Sequence, residues 1–504
     1  MKNFPLLRSF GGVAAVWSLV GVGALVSVMG GCRSTPTPVH NAPSTLRVLL
    51  DGDIAEWPAE AEAHSDEHNL FLRFTVADEQ FTLQSADKSV VISLDLDGSA
   101  QTGQVGGEAP WADLGTDMEI RFSPAGPDGK RGRGVLAEAI DAQGTRTKLD
   151  IGDLDLHVAP TYASSWYELR MTRTPDNIAP FPKGGWCSSG FIKGVMSLRG
   201  ERDEVIGYAD PFVLPVDQAC PDGKRRSGVD LPVKPKGALR VMNYNVEKSS
   251  PTRNPEVFKR VLTALDPDVI LMQEWEAGDA GAVQAWLTLN VPTASDWQVI
   301  KAPGDNSNGG GVLVASRYPL ETLLSEPVTQ GANARPVRFV GAVVQTPGGE
   351  VLAGSLHLKC CGTKDSPEDK QRLSEARAIN QAFAKIAATR PNARRVIAGD
   401  FNLVGTRPPL DLLRAGLDAD GGDLEVADAR DLAERVYRTW RDPATGFVPG
   451  RLDWVVYSGS NANAADAFVF DSSLLNDESL ARVGLDRTDC TGSDHLPVIV
   501  DLAW

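Results

Sequence analysis

Positive charge is scarce in this chain. Across 504 residues, 50 Lys and Arg stand against 66 Asp and Glu, a formal net charge of −16. That balance repels polyanions at long range and excludes a tight nucleic-acid binder that works through a basic surface. It does not exclude an enzyme that cuts a phosphodiester, because cleavage needs a local cation rather than a basic face. Histidine is scarcer still: of six, only His357 and His495 follow Gly237. No short-period repeat is present, and nothing sustains the heptads of a coiled coil. What is there is 42% hydrophobic and 23% charged, the composition of a globular protein. The chain is too long for one core, so two or three domains are expected.

The apolar run Val13 to Met29 follows a short positive segment with Lys2 and Arg8, and VMGGC places small residues directly before Cys32. Glycines interrupt the run, and Arg8 to Arg33 leaves little length for a spanning helix. The pattern resembles a bacterial lipoprotein signal peptide, with Met29 where Leu is usual. The resemblance implies a signal peptide over 1–31, lipidation at Cys32, and an exported protein held to the membrane by a lipid anchor. Ser34 after Arg33 then points to the outer membrane or cell surface. Residues 32–45 read as a Pro/Thr-rich tether. Export permits disulfides, and five further cysteines remain: Cys187, Cys220, Cys360, Cys361 and Cys490. The odd count leaves one over unless it pairs between chains.

Residues 46–214 show short alternating runs such as NLFLRFTV, SVVISLDLDG and SWYELRMTR, separated by Gly, Asp, Pro and Asn. They predict an all-β sandwich. LDGDIAEWP and LDLDGSAQTG resemble sugar-binding modules of the family-nine type, which implies a polysaccharide ligand for this domain. Trp57 and Trp111 are candidates to stack on a sugar ring, with core or rim packing equally open. DLDGS, Asp95 to Ser99, reads either as a loop for Ca2+, since alternate carboxylates converge on a hard cation, or as a plain surface turn. Residues 215–236 are polar, basic and Pro-rich, and predict a linker whose Cys220 reaches back to Cys187.

From 237 to 504 apolar strand-like runs alternate with amphipathic helices, as in LRVMNYNV, PEVFKRVLTAL and DVILMQEW, which predicts an α/β domain. Polar residues recur at the strand ends, where such a scaffold presents its site: Asn245, Gln273 and Glu274, His357, Asp400 and Asn402, Asp453, Asp494 and His495. Any one of these has a structural explanation as a cap or a buried polar group. As a set of strand-end positions they point to chemistry.

The ordered series MNYNV, QEWE, SLHL, AGDFN, RLDW and GSDHLP resembles the endonuclease/exonuclease/phosphatase superfamily, the deoxyribonuclease-I-like fold. The resemblance implies a four-layer α/β sandwich of two mixed sheets with outer helices. It also implies phosphoester hydrolysis with Mg2+ or Mn2+. On the matching positions, Glu274 would bind the metal, with Asn245 and Asp494 completing or supporting its shell. Asp400 would orient and deprotonate water, and Asn402 would hold that water or the phosphate. Asp453 would orient His495, and His357 would donate to a phosphate oxygen. Carboxylates and an amide suit a hard cation, so the adjacent Cys360 and Cys361 do not read as soft-metal ligands. One of them is expected to bond Cys490; a vicinal bridge is the alternative. Arg372 and Glu375 are spaced for an i,i+3 pair on a helix starting at Pro367. GDNSNGGG, Gly304 to Gly311, is a loop that either borders substrate or is only a loop.

The expectation is an anchored, divalent-metal-dependent phosphodiesterase or nuclease, a monomer acting on a phosphoester and binding nucleic acid transiently. A phosphomonoesterase for sugar or inositol phosphates and an inactive polysaccharide-binding lipoprotein are the alternatives. From Gly237 onward 27 basic residues face 35 acidic ones, which gives no positive face for duplex binding.

Overall fold

Between Ala63 and Pro215 the computed structural model of the chain contains strands and, among its described residues, no helix. Residues 48–504 are described except 58–62, 76–79, 106–111, 127–132, 174, 176–189, 210, 217–227, 331–334 and 434–435. The predicted signal peptide and tether, with Cys32, and likewise Trp111, Cys187 and Cys220, lie outside the described residues. No described helix is long and apolar enough to cross a membrane.

The N-terminal strands form two main sheets. One has four antiparallel strands in the order Ala63–Ser65, Asn69–Thr75, Trp166–Thr172, His157–Ala159. The other is built around Ser89–Asp95, flanked by Phe191–Arg199 and Met118–Phe122. Alternation decides what is buried between them: Leu70, Leu72 and Phe74 from one sheet join Val90, Ile92 and Leu94 from the other in one core. On the opposite side of the first sheet, Phe71 packs with Trp57 and Val48. Trp57 is only 4% exposed, and its Nε1 donates to Glu168 Oε1 at 2.7 Å. It is a core residue and not a platform for a sugar.

The C-terminal residues form two mixed sheets packed face to face. The first runs Gln298–Lys301, Leu313–Ser316, Val269–Gln273, Leu239–Asn245, Val498–Ala503, Asn463–Val469, Arg430–Asp431. The second runs Leu320–Thr322, Phe339–Thr346, Gly349–His357, Arg394–Asp400, Asp453–Tyr457, Glu425–Val426. Central strands are covered on both faces, so they read as continuous apolar runs. Val351, Ala353, Val396, Ala398 and Val455 face the other sheet, while Leu352, Leu356, Ile397 and Val456 face outward onto helices.

Helix Pro255–Leu265 repeats apolar residues at Phe258, Val261, Leu262 and Leu265, and that stripe covers the first sheet. Helix Pro367–Ala387 starts where Ser366 accepts from the Asp369 amide, with Pro367 in the first turn. Its Ala376, Ile379 and Phe383 cover the second sheet. Helix, sheet, sheet, helix is the four-layer order the sequence predicts.

The last part of the predicted linker is laid onto the C-terminal body: Val229 bridges to Leu475, Leu231 is buried, and Lys234 meets Asp268 at 3.1 Å. The N-terminal loops also reach C-terminal loops. Thr161 Oγ1 donates to the carbonyls of Leu403 and Arg451 at 3.0 and 3.2 Å, the Ala163 amide donates to Gly405 O at 2.7 Å, and Val448 sits in the N-terminal core.

Candidate active site

Strand register brings the site together. His357 ends one strand and pairs with Asp400 at the end of its parallel neighbour, which pairs with Asp453 at the start of the next. These three side chains therefore share one row at one edge of the second sheet. In the first sheet Asn245 pairs with Gln273 at two parallel strand ends facing that row. Each of these residues bounds an apolar run at the end of the sheet where the site forms.

Asn245 joins the two sheets. Its Nδ2 lies 3.2 Å from Glu274 Oε1, 3.2 Å from Asp400 Oδ2 and 3.4 Å from His495 Nε2. Asp400 accepts the Asn402 amide on Oδ1 and the Asn402 side-chain Nδ2 on Oδ2, both at 2.9 Å. Asn402 holds this position with φ of 50°, and Glu274 turns toward the site with φ of 59°. For residues other than glycine this is a costly left-handed backbone, and it tends to collect at functional sites.

The two histidines, both nearly buried, are held in opposite charge states. Nδ1 of His495 meets Asp453 Oδ2 at 2.7 Å. Burial opposes its protonation, but the carboxylates of Asp453 and Asp400 outweigh that and raise its pKa to about 10, so it is an imidazolium at neutral pH. His357 goes the other way: burial, then the charges of Arg338 and His495, hold it well below the usual imidazole range. Arg338 Nη1 lies 3.3 Å from His357 Nδ1 and its Nη2 donates to Leu358 O at 2.6 Å. A guanidinium only donates, so Nδ1 accepts and the His357 proton sits on Nε2. That Nε2 lies 3.4 Å from Asp400 Oδ2 and 3.9 Å from Glu274 Oε1. Burial, with Asp453 and Glu274 adding and His495 opposing, raises the Asp400 carboxyl to about 7.

A second layer, apart from Gln273, escaped sequence reasoning. Asn243 Nδ2 donates to Asp453 Oδ1 at 3.2 Å, and Asn243 Oδ1 accepts from Gln273 Nε2, which also reaches Ser355 Oγ at 3.0 Å. All are buried. Asn243 was legible in principle: it stands two residues before Asn245 on one strand, and so on the same face. Arg338 and Trp440 carried no such signal. Trp440 Nε1 donates to Asp494 Oδ2 at 2.9 Å.

The residues suit a hard divalent cation in part. Glu274 offers a carboxylate on the open side of the site, its side chain 19% exposed, beside the raised carboxyl of Asp400. Asn245 presents its Nδ2 to Glu274, and Asp494 is engaged by Trp440, so both stand as supports rather than as a converged ligand set.

The cysteines do not staple the histidine loops. Cys360, Cys361 and Cys490 are free thiols. Cys490 is buried in the core, accepting from the Ser472 amide at 3.3 Å, because its short helical turn packs inward. Cys360 and Cys361 lie side by side with sulfurs 2.8 Å apart, unbridged. The predicted Arg372–Glu375 pair is also replaced. Arg372 donates to the carbonyls of Lys359 and Cys361 and pairs with Asp369 at 3.3 Å, while Glu375 accepts from the Lys359 amide. Both side chains thus hold the loop that follows His357. In Gly304–Gly311, Gly311 O accepts the Trp275 amide at 3.0 Å, which sets that loop beside Glu274.

A model of the endonuclease/exonuclease/phosphatase family matches residues 242–495. No curated protein matches the chain. Among solved structures, a humanized TDP2 of D. rerio is 16% identical with a TM-score of 0.36, covering 53% of this chain and 99% of that one. The human Nocturnin catalytic domain with bound sulfate is 17% identical with a TM-score of 0.36, covering 54% and 96%. A Neisseria 3′ phosphatase, NExo, bound to product DNA hairpin is 20% identical with a TM-score of 0.35, covering 53% and 100%. The family model spans every strand-end residue described above, and the chain belongs to the endonuclease/exonuclease/phosphatase family.

Proposed function

We propose that the protein is a divalent-metal-dependent phosphodiesterase or nuclease, held at the cell surface by a lipid on Cys32. The family contains nucleases, phosphodiesterases and phosphatases, so phosphoester hydrolysis is the reaction class. The observation that carries the reading is the meeting at Asn245 of Glu274, Asp400 and the Asp453-bound His495.

In this reading the phosphate lies against Asn245, His357 and His495. Glu274 would hold a divalent cation, which when bound would supply positive charge to the phosphoryl oxygens and lower the cost of the leaving alkoxide. Asp400, fixed by two bonds from Asn402, accepts the proton of the attacking water. Asp453 keeps His495 charged and aimed, so that its Nε2–H meets negative charge as it develops. His357, neutral with its proton on Nε2, donates a second hydrogen bond there.

The full chain in detergent tests this on bis-p-nitrophenyl phosphate, p-nitrophenyl phosphate and plasmid DNA. Turnover of the diester with Mg2+ or Mn2+, abolished by EDTA, is the expected result. Turnover of the monoester alone would replace the proposal with a phosphomonoesterase.

A further inference from the structure

We propose that Asp95, Asp97 and Asp117 form a calcium site in the N-terminal β region, built from residues that the strand-end site does not use. Their ligand oxygens all lie within 4.8 Å of one another. That spacing lets all three reach one hard cation, and calcium, with bonds of about 2.3–2.6 Å and a flexible shell, tolerates a site built from one exposed and two fixed carboxylates.

The independent observation is Asp95. The residue is fully buried, its Oδ1 accepts the Gly98 amide at 2.6 Å, and its Oδ2 has no hydrogen-bond partner. A buried carboxylate oxygen left unmatched is costly, and such atoms are normally satisfied by a donor or a cation. No ion pair to any of the three carboxylates occurs among the described residues. Lys193 is in register with Asp95, but its ammonium sits 5.6 Å from the Phe191 ring centroid.

The remaining contacts preorganise the carboxylates. Asp117 Oδ2 accepts the Leu96 amide at 2.8 Å, which fixes that carboxylate beside Asp95. Asp97 is exposed and held by the Ser99 amide and Thr102 Oγ1 at 2.8 and 2.9 Å, so it forms the solvent side of the site. The loop between them is pressed onto Asp117. A Cβ on Gly103, where φ is 63°, would come within 2.2 Å of Thr116 O and 2.8 Å of Asp117 Oδ1. Two carboxylates fixed by backbone amides, one more at the mouth, and water for the remaining positions match the six to eight oxygens calcium takes.

The test uses the full chain, stripped of metal, in thermal unfolding and in equilibrium dialysis with radioactive calcium. Calcium at about a hundred times its Kd is expected to raise the unfolding midpoint of the N-terminal strands by about 5–10 °C. Asp97→Asn, at the exposed position, is expected to keep the metal-free midpoint, lose the calcium shift and bind one calcium fewer. Its diester hydrolysis should match the parent, which separates this site from the strand-end one. Calcium that leaves the parent midpoint unmoved, or moves it equally in Asp97→Asn, overturns the proposal.

Discussion

Carboxylates gather at two places in this molecule, and their neighbours differ. At the strand ends Asp400 and Asp453 are answered by protein groups: an imidazolium, three Asn side-chain amides and a backbone N–H. In the loop of Asp95, Asp97 and Asp117 the partners are backbone amides and one hydroxyl, and one buried oxygen has none. The first cluster is built to hold charge in a set arrangement while a reaction passes through it. In the second, the unmatched oxygen is the one the proposed calcium would satisfy. Composition alone does not separate them, since each is a few Asp residues beside apolar strands. What separates them is whether cationic side chains from other parts of the chain arrive.

That contrast can be broken from the catalytic side first. Asp453→Asn removes the charge that keeps His495 an imidazolium and leaves its shape almost unchanged. Turnover of the diester is expected to fall by about 1,000- to 10,000-fold with little change in KM. The alkaline limb of the remaining activity should move to lower pH, since in the parent His495 keeps its proton up to about 10. A loss below tenfold in a variant that still melts cooperatively would mean that the pair is only structural.

A smaller effect is expected at Arg338, which works through His357. Arg338→Met removes the donor that fixes the His357 tautomer and bonds Leu358 O. Turnover should drop about tenfold, in kcat more than in KM, with partial recovery in Arg338→Lys. Equal loss in both variants and in KM would assign Arg338 to substrate binding instead.

The smallest expected effect concerns Glu168, a buried carboxylate of the N-terminal region served only by N–H donors. Trp57 Nε1 and the Gly52 amide donate to it at 2.7 Å each. Burial, opposed by these donors and reinforced by Glu56 and Asp51, raises its pKa to about 8. The folded state therefore holds the proton more tightly than the unfolded chain, whose value is near 4.5. Stability from this group is full below about 4.5, declines as pH rises, and is lost above about 8. The midpoint of the N-terminal strands should fall by a few degrees across that window. Glu168→Gln should flatten the profile, and an unchanged slope would locate the dependence elsewhere.

The fold of the C-terminal half was readable because its apolar runs are long and its helices carry an unbroken stripe. VLAGSLHL can only be a strand covered on both faces, and Phe258, Val261, Leu262 and Leu265 can only be one side of a helix. The strand-end residues were readable for the same reason, as polar groups that close an apolar run. The cysteines were misread because sequence places Cys490 near His495 but does not say which way its short turn faces. Trp57 was ambiguous because a Trp beside a strand packs or stacks according to what covers it, and here Phe71 and Glu168 do.

Local sequence by itself determined which segments are strands and helices, and which polar side chains stand at their ends. Those properties depend on periodicity over a few residues. Tertiary structure alone decided who meets whom. Asn243 finds Asp453 across 210 positions, and Asn245 finds His495 across 250. Such pairings follow from sheet register and from the packing of one sheet on another. Register is set by the whole apolar pattern of both strands and not by the residues that meet. The charge states of His357 and His495 follow only from those meetings.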